Sequence, residues 1–210
     1  MNNYNPTPIL GKIESTNPCG EQPLLPYEAC NLGSLNLALF IKDGDVDWDK
    51  LQNAIYDSVD FLDAVIDVSR FPLPPIESIS RANRKIGLGV MGWADMLFQL
   101  KIPYASEEAI ALGSKVMEFI DFNAKMRSLM LAAEKGAFPN FAQSIYAEGS
   151  LKREKLFQDW DYLKARIQNE GIRNSTLTTI APTGTISMIA DTSSGIEPQF
   201  SLAYVKNVMD

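Results

Sequence analysis

Residues 106 to 136 predict one uninterrupted helix of about 28 residues, which at about 1.5 Å per residue is about 40 Å long. Ser106 stands at the N-cap position, Glu107 and Glu108 suit the first turn, and Gly136 follows the last turn. The apolar positions recur with a helical period at Leu112, Val116, Phe119, Ile120, Met130 and Ala133. No other segment of the sequence indicates so long a regular element.

Shorter helical patterns flank this segment on both sides. Asp45 and Asp47 are cap-type residues in front of a periodic apolar stripe over 48–66, and the prolines of 72–75 terminate that stripe. Three further segments favour helices: 78–84, 93–100 and 156–171. We find no internal repeat, low-complexity tract or interdomain linker, so the chain is one unit or a part of one.

Two segments favour strands. Residues 85–91 combine Ile, Leu and Val with two glycines, which is typical of a buried strand that another backbone approaches closely. Residues 174–180 are rich in Thr and β-branched residues and lead into the turn 182–187. The first forty residues, rich in Pro, Gly and Asn, predict an extended, loop-rich start. The alternation of helix and strand indicates the α/β class.

The composition excludes several classes of function. The 210 residues are 46% apolar and 21% charged, as in an ordinary globular protein, and the net charge of −7 offers no general footprint for nucleic acid. The chain has no histidine, so neither Ser–His nor Cys–His catalysis can be assembled within it, and two cysteines alone make a weak zinc site. We expect no metal site. No apolar run approaches about 20 residues, which predicts a cytoplasmic protein without a membrane segment.

The two cysteines lie close together near the start of the chain. Asn17-Pro18-Cys19-Gly20-Glu21 places a thiol two residues from an amide and two residues from a carboxylate, and Cys30 follows eleven residues after Cys19. A thiol can exchange a hydrogen atom, a carboxylate can accept a proton and an amide can orient a hydroxyl group, so the motif indicates redox chemistry on a polar substrate. Buried structural thiols and a Cys19–Cys30 disulfide are alternative interpretations.

A second motif follows the predicted strand 174–180. If residues 186–190 open a helix, its unpaired N–H groups would face a turn in which Gly184 permits close approach and Thr183, Thr185 and Ser187 offer hydroxyl groups. Such a terminus can bind a phosphate. A junction of this composition more often only connects a strand to a helix, and both interpretations stay open. No Gly-Lys-Ser/Thr follows, so ATP hydrolysis is not indicated.

Two further groups of residues receive structural interpretations. A small basic cluster is more typical of a solvated helix face than of a phosphate site: Arg81, Arg84 and Lys85. The three tryptophans are interpreted as core or interface anchors: Trp48, Trp93 and Trp160.

Four ordered motifs together resemble the large subunit of ribonucleotide reductase. They occupy 17–26, 30–34, 84–92 and the paired segments 181–187 and 193–198, so the match spans nearly the whole chain. The short interval between the cysteines most resembles the adenosylcobalamin-dependent class II. Some large subunits that receive their radical from a di-metal small subunit share many of the same sequence motifs.

The resemblance implies an α/β fold that is part of a ten-stranded α/β barrel, with Cys19 on an internal finger loop. Residues 1–210 would be the C-terminal-half portion of the barrel domain. Within it, 1–40 would form the finger-loop segment, 41–172 a mainly helical part with a buried strand, and 173–210 a strand with the phosphate-binding loop. Family members are several times longer, so we expect a split-gene product, an intein-interrupted piece or a fragment that needs a complementary chain.

The resemblance also implies a role for each residue of the motifs. Cys19 would carry the transient thiyl radical that removes the 3′ hydrogen of a ribonucleotide, Glu21 would take the 3′ hydroxyl proton, and Asn17 would bind the substrate hydroxyl groups. Cys30 would be one member of the dithiol that supplies two electrons. The remaining substrate contacts would come from Pro18, Gly20, Pro182, Thr183, Gly184, Thr185 and Ile186.

The expected cofactor and partners follow from the same resemblance. Adenosylcobalamin is the expected radical source, with a di-metal small subunit as the alternative. A ribonucleoside diphosphate, a complementary reductase chain with the other redox cysteine, a reductant of the thioredoxin or glutaredoxin type and a second copy in a dimer are the expected partners. Two other functions stay open. One is a thiol–disulfide oxidoreductase, although Cys19 and Cys30 lack the usual two-residue spacing. The other is an inactive nucleotide-binding fragment.

Overall fold

The computed structural model describes residues 2–151, 156–201 and 203, and the predicted segment 173–210 therefore extends beyond the described part. The described helices are α1 Trp48–Val68, α2 Pro74–Asn83, α3 Trp93–Leu100, α4 Glu107–Lys135, α5 Trp160–Glu170 and α6 Ile186–Ile189. The described strands are β1 Ser15–Thr16, β2 Pro23–Leu24, β3 Asn31–Asn36, β4 Ile41–Lys42, β5 Asp45–Val46 and β6 Ile86–Met91.

Strands β3 and β6 form a parallel pair in the core, with Asn31 opposite Ile86 and Asn36 opposite Met91. Every residue of β6 is buried, which agrees with its continuous apolar sequence and confirms the predicted strand over 85–91. Among the described residues this sheet does not close into a barrel. The start of the chain is less irregular than predicted, because it contains the β1–β2 hairpin and β3.

The segment 174–180 runs along β6 but is not the full strand that its composition predicts. The Leu88 N–H donates to the Leu177 carbonyl at 2.7 Å, and the Thr179 N–H donates to the Leu88 carbonyl at 3.0 Å. The regular pairing is limited to one bridge between Leu88 and Thr178. The N–H groups of Asn174 and Ser175 donate elsewhere, to Ser128 Oγ and to the Asn83 carbonyl, so the start of the segment leaves the sheet.

Helices α1 and α4 pack against each other beside this sheet. In α1, Asp47 accepts a hydrogen bond from the Lys50 N–H at 3.0 Å, and the buried apolar stripe follows the predicted period. In α4, Ser106 Oγ accepts from the Ala109 N–H at 3.1 Å, and the helix runs for 29 residues before Gly136. Both helices confirm the predicted caps and spacing.

The tryptophans confirm their interpretation as core anchors. Trp93 and Trp160 are buried, and Trp48 packs edge to face against Phe119 with ring centroids 4.9 Å apart. Trp160 makes a similar contact with Phe122 at 5.4 Å. The aromatic contacts therefore join α1 and α5 to α4.

Two helix starts differ from the prediction. Helix α2 begins at Pro74 rather than near residue 78, because proline is favoured in the first turn of a helix, where its missing N–H has no partner to lose. Helix α5 begins at Trp160 rather than at residue 156, because Asp159 caps it by accepting from the Tyr162 N–H at 3.2 Å.

The residues just before α5 are held by one carboxylate of α4. Glu118 is buried and accepts hydrogen bonds from the main-chain N–H groups of 156–158 and from Trp160 Nε1 at 2.9 Å. Burial by itself raises the pKa of this carboxyl, but the hydrogen bonds from Phe157, Trp160 and their neighbours outweigh it and hold the pKa below its ordinary value. Glu118 thus connects α5 to α4 as an ionised group.

We expect Glu118→Gln to lower the free energy of unfolding by about 2 kcal/mol, because the charged acceptor of several hydrogen bonds is lost. Since the pKa is lower in the folded state, this contribution is fully present above the unfolded value of about 4.3 and decreases as the pH falls through the folded value. Urea unfolding at pH 7 and pH 3 measures both effects. The exposed Glu14→Gln is the matched control. An unchanged stability of the Glu118 variant at pH 7 would rule out this role.

Candidate active site

The first motif forms the turn of the hairpin between β1 and β2. The Asn17 N–H donates to the Gln22 carbonyl at 3.2 Å, and the Gln22 N–H donates back to Asn17 Oδ1 at 2.9 Å. Gly20 has φ +87°, a left-handed conformation that favours glycine, and its N–H donates to the Asn17 carbonyl at 3.0 Å. The Asn17 side chain therefore closes the turn, and Cys19 is exposed at the tip.

Glu21 connects this hairpin to the segment that precedes the second motif. Its main-chain carbonyl accepts a hydrogen bond from Thr179 Oγ1 at 2.8 Å. Its carboxylate atom Oε2 is buried and has no hydrogen-bond partner within the part of the chain that the structure describes. A buried polar atom without a partner is costly, and such atoms in native proteins often mark a functional site.

Cys30 lies directly before β3 and is half-buried. Its thiol donates to the Asn31 carbonyl at 3.4 Å, and Cys19 and Cys30 are both free thiols. Burial raises the pKa of Cys30 to about 12, with Lys85 lowering it and the carboxylates of Glu28 and Glu21 raising it further. Glu21 is two residues from Cys19 in the sequence, and its charge is one of those that raise the pKa of Cys30.

The interpretation of the basic cluster as a solvated helix face is wrong for two of its three residues. Arg84 is buried, with its guanidinium 2.8 Å from Asp63 and 2.7 Å from Asp67. Lys85 is also buried and pairs with Glu28 at 2.6 Å. The prediction fails because the carboxylate partners lie far away in sequence, where a local charge pattern does not reveal them.

The second motif forms a tight turn into the single-turn helix α6. Thr183, rather than Gly184, has the left-handed conformation, with φ +54°. Thr183 is buried, and its Oγ1 accepts from the Gly195 N–H at 2.7 Å. Ser187 is buried and its hydroxyl bonds that of Ser194 at 2.9 Å. These two hydroxyl groups therefore join the turn to the segment 193–195.

The solvent-exposed surface of this turn is formed by the residues other than Thr183 and Ser187. Gly184, Thr185 and Ile186 are exposed, and so is Pro182. No atom lies within 4 Å of the position that a Cβ on Gly184 would take, and Gly184 does not have a left-handed φ. Neither packing nor backbone geometry in the described residues requires glycine there. The open space beside its backbone is what a bound phosphate would need.

The structure connects the motifs through Thr179, Asn83 and Glu28, which the sequence alone did not single out, and through Lys85, which it interpreted as solvated. Thr179 joins the hairpin to the strand-like segment before the turn, and Asn83, Glu28 and Lys85 form a buried polar group behind the hairpin. The sequence signal for this group is the pair of charged residues directly in front of the all-apolar strand β6, a place where solvated charges are unusual.

The sequence predicts neither a membrane-spanning segment nor a metal site. No helix in the described ranges has the length and apolar character that a membrane span requires. Those same ranges hold no group of three or more Cys, Asp or Glu side chains placed to bind a metal ion. The cytoplasmic location and the missing metal site stay predictions.

Comparison with known proteins places the whole chain in one family model, described as ribonucleotide reductase, barrel domain, which matches residues 1–210. The chain is 49% identical to the vitamin B12-dependent ribonucleoside-diphosphate reductase of Thermoplasma acidophilum, over 100% of this chain and 25% of that protein. Its identity to the protein of that name from Mycobacterium tuberculosis is 48%, over 100% of this chain and 27% of that protein. The ribonucleoside-diphosphate reductase subunit alpha of Chlamydia pneumoniae is 33% identical, over 94% of this chain and 21% of that protein. The chain spans about a quarter of the length of the first two relatives.

The glycines of β6 generate a prediction about how the site is assembled. A Cβ on Gly89 would lie 2.7 Å from the Thr179 carbonyl oxygen, closer than packed atoms allow. We expect Gly89→Ala to lower the free energy of unfolding by about 2 kcal/mol, because the backbone of 178–180 has to move away. Gly113→Ala in α4 is the matched control, since its Cβ would make an ordinary 3.5 Å contact with Trp93. Thermal unfolding compares the two, and equal stability of both variants would contradict the close approach.

Proposed function

The chain belongs to the ribonucleotide reductase family, as part of its barrel domain, and on that premise we propose that it carries out thiyl-radical reduction of ribonucleoside diphosphates to 2′-deoxyribonucleotides. One observation carries the proposal. The bond from Thr179 Oγ1 to the Glu21 carbonyl connects the hairpin that presents Cys19 with the segment that leads into the turn 182–187. This bond links the hairpin with Cys19 and Glu21 to the segment that leads into the turn with the open space at Gly184. The names of the relatives support the diphosphate substrate.

The radical step assigns roles to Cys19 and Glu21. The Cys19 thiyl radical removes the 3′ hydrogen atom of the ribose, so an S–H bond forms, a C–H bond breaks and the unpaired electron moves to C3′. The Glu21 carboxylate accepts the proton of the 3′ hydroxyl group. The exposure of Cys19 supports this assignment, and so does the unpartnered Oε2 of Glu21. Asn17 closes the turn and orients the substrate hydroxyl groups with its amide, and Pro18 and Gly20 complete the substrate contact.

The reduction step assigns a role to Cys30. The 2′ hydroxyl group leaves as water, and Cys30 and a second thiol outside the described residues give up two hydrogen atoms and become a disulfide. Cys19 then returns its hydrogen atom to C3′. The sum is one ribonucleotide and two thiols converted to one deoxyribonucleotide, one disulfide and one water. The high pKa of Cys30 supports this order, because the thiol then keeps its proton at neutral pH until it reacts.

The turn Pro182-Thr183-Gly184-Thr185-Ile186 binds the substrate phosphates in this proposal. The open space at Gly184 supports main-chain approach, and the exposed Thr185 adds a hydroxyl donor. Thr183 contributes by fixing the turn through Gly195 rather than by a freely rotating hydroxyl. Binding by main-chain N–H groups needs no lysine or arginine in the turn itself.

Adenosylcobalamin is the proposed radical source, because the first two relatives are named as vitamin B12-dependent. When bound, it would supply the radical that takes the hydrogen atom from the Cys19 thiol. The residues present do not define a binding site for it, because the chain has no histidine to ligate cobalt through an imidazole. We therefore derive no step through the cofactor. A di-metal small subunit remains the alternative source.

The chain covers about a quarter of the length of its first two relatives, and we infer the partners from this short coverage. Protein outside these residues supplies the second redox cysteine and completes the barrel, either as further polypeptide or as a complementary chain. A reductant of the thioredoxin or glutaredoxin type restores the dithiol. We also propose a cytoplasmic location and a dimer. The segments 1–40, 41–172 and 173–210 remain the proposed division of the barrel portion.

Cys19→Ser tests the proposal in the complex of this chain with the protein that completes its barrel. With adenosylcobalamin and a dithiol, formation of deoxyribonucleoside diphosphate should fall by at least about a thousandfold, because serine cannot form the equivalent radical. Ser15→Ala, an exposed change on the same hairpin, is the control and should keep full turnover. Turnover of the Cys19 variant at the control's rate would eliminate the radical role. The isolated chain should show no turnover.

A further inference from the structure

A buried ion pair lies behind the hairpin that carries Cys19. Lys85 Nζ is 2.6 Å from Glu28 Oε2, and the two side chains are 1% and 0% exposed. Removing two charges from water is costly unless the pair is close and its other hydrogen bonds are made. The surrounding contacts therefore have to offset the cost of burying this pair.

The hydrogen bonds of the pair connect three elements. Glu28 Oε2 also accepts from the Leu25 N–H at 2.8 Å, and Glu28 Oε1 accepts from Asn83 Nδ2 at 2.7 Å. Lys85 Nζ donates to the Pro23 carbonyl at 3.2 Å. The pair thus joins the end of β2 to the last residue of α2 and to the start of β6. These bonds fix the position of the ammonium group.

Lys85 and Cys30 line the same small cavity of about 160 Å³. Two oxygen atoms of other lining residues are buried without a hydrogen-bond partner in the described part of the chain: Ser80 Oγ and Asn31 Oδ1. The rest of the lining is mostly apolar and includes Ala29, Ile66 and Phe71. Among the described residues of this lining, Lys85 is the one that carries a charge, so its ammonium group acts on the Cys30 thiol in weakly polar surroundings.

Resting on the proposed role of Cys30 as a redox thiol, we propose that Lys85 is the positioning residue of that thiol. Glu28 holds the Lys85 ammonium group beside the cavity that Cys30 lines, and this cation stabilises the Cys30 thiolate during disulfide exchange. When the dithiol reductant attacks the second sulfur of the disulfide, a new S–S bond forms, the old one breaks and its electron pair leaves on the Cys30 sulfur. That sulfur then takes a proton. A thiolate that is better stabilised leaves faster.

The charged groups around Cys30 determine whether each substitution should raise or lower the reactivity of its thiol. Burial and the carboxylates of Glu28 and Glu21 disfavour the thiolate, while Lys85 favours it. Removing Glu28 should therefore make Cys30 more reactive, and removing Lys85 should make it less reactive. A purely structural pair predicts the same direction for both changes, because loss of either partner would loosen the hairpin and expose the thiol.

The test is the rate at which iodoacetamide alkylates Cys30 in the 210-residue chain between pH 7 and pH 10, followed by peptide mass spectrometry. Glu28→Gln should raise the Cys30 rate at pH 9 at least about threefold, and Lys85→Met should lower it at least about threefold. Lys85→Arg keeps the charge and should stay near the wild-type rate. The exposed Cys19 in the same sample is the internal reference, and the exposed Lys42→Met is the matched control.

Changes of Cys30 reactivity in the same direction for both variants, or no change in either, would overturn the proposal. If Lys85→Met does not fold by circular dichroism, Glu28→Gln is judged together with hydrogen exchange of the Gln22 amide in the hairpin. A faster Cys30 rate with unchanged exchange of that amide supports the role of the charge, whereas an unchanged or slower Cys30 rate, or a Cys30 rate that rises together with the exchange of the amide, contradicts it. The measurement needs no turnover. Its failure is therefore distinguishable from failure of the proposed function, which the Cys19 variant tests.

Discussion

Two consecutive buried cations, Arg84 and Lys85, hold the structure together at the start of β6. Arg84 pairs with Asp63 of α1, and Asp63 also accepts a hydrogen bond from Asn174 at 2.9 Å. Lys85 pairs with Glu28 on the hairpin side. Arg84 has a left-handed backbone, with φ +47°, which ends α2 and turns the chain into β6. Because each cation loses its water, it depends on these carboxylates: Glu28 is the partner of Lys85, whereas Arg84 has both Asp63 and Asp67.

These ion pairs help to position the hairpin that carries Cys19. The glycines of β6 allow close packing: a Cβ on Gly87 would lie 2.4 Å from Leu32 of β3 and 2.5 Å from Gln22 of the hairpin, and a Cβ on Gly89 would lie 2.7 Å from the Thr179 carbonyl oxygen. The hairpin is fixed to the start of this strand through the bond from Lys85 to the Pro23 carbonyl, and to the segment 174–180 through Thr179. Its tip, with Cys19, projects from a base that buried polar contacts hold in place. The radical role proposed for Cys19 would need such fixed placement, since the hydrogen atom moves over a short distance.

Elements with strong local signals could be predicted from the sequence. The caps and period of α4 and the buried strand β6 are local patterns. The grouping of Cys19 with Glu21 in one site stays a prediction. The non-local features could not be predicted in this way. The burial of Arg84 depends on a carboxylate 21 residues away, and the pairing of 174–180 with β6 depends on competing partners for Asn174 and Ser175. In the second motif, composition suggested free hydroxyl groups, whereas Thr183 and Ser187 are used to fix the turn.

Hydrogen exchange of individual main-chain amides tests most directly whether the hairpin is held rigidly on β6. The Gln22 N–H donates to Asn17 and the Leu25 N–H donates to Glu28, so both amides report on the base of the hairpin. The account predicts that they exchange within about tenfold of the Leu88 amide in β6, because they open only when the surrounding core opens. Exchange of Gln22 and Leu25 at the rate of an unprotected peptide, while Leu88 stays protected, would contradict it.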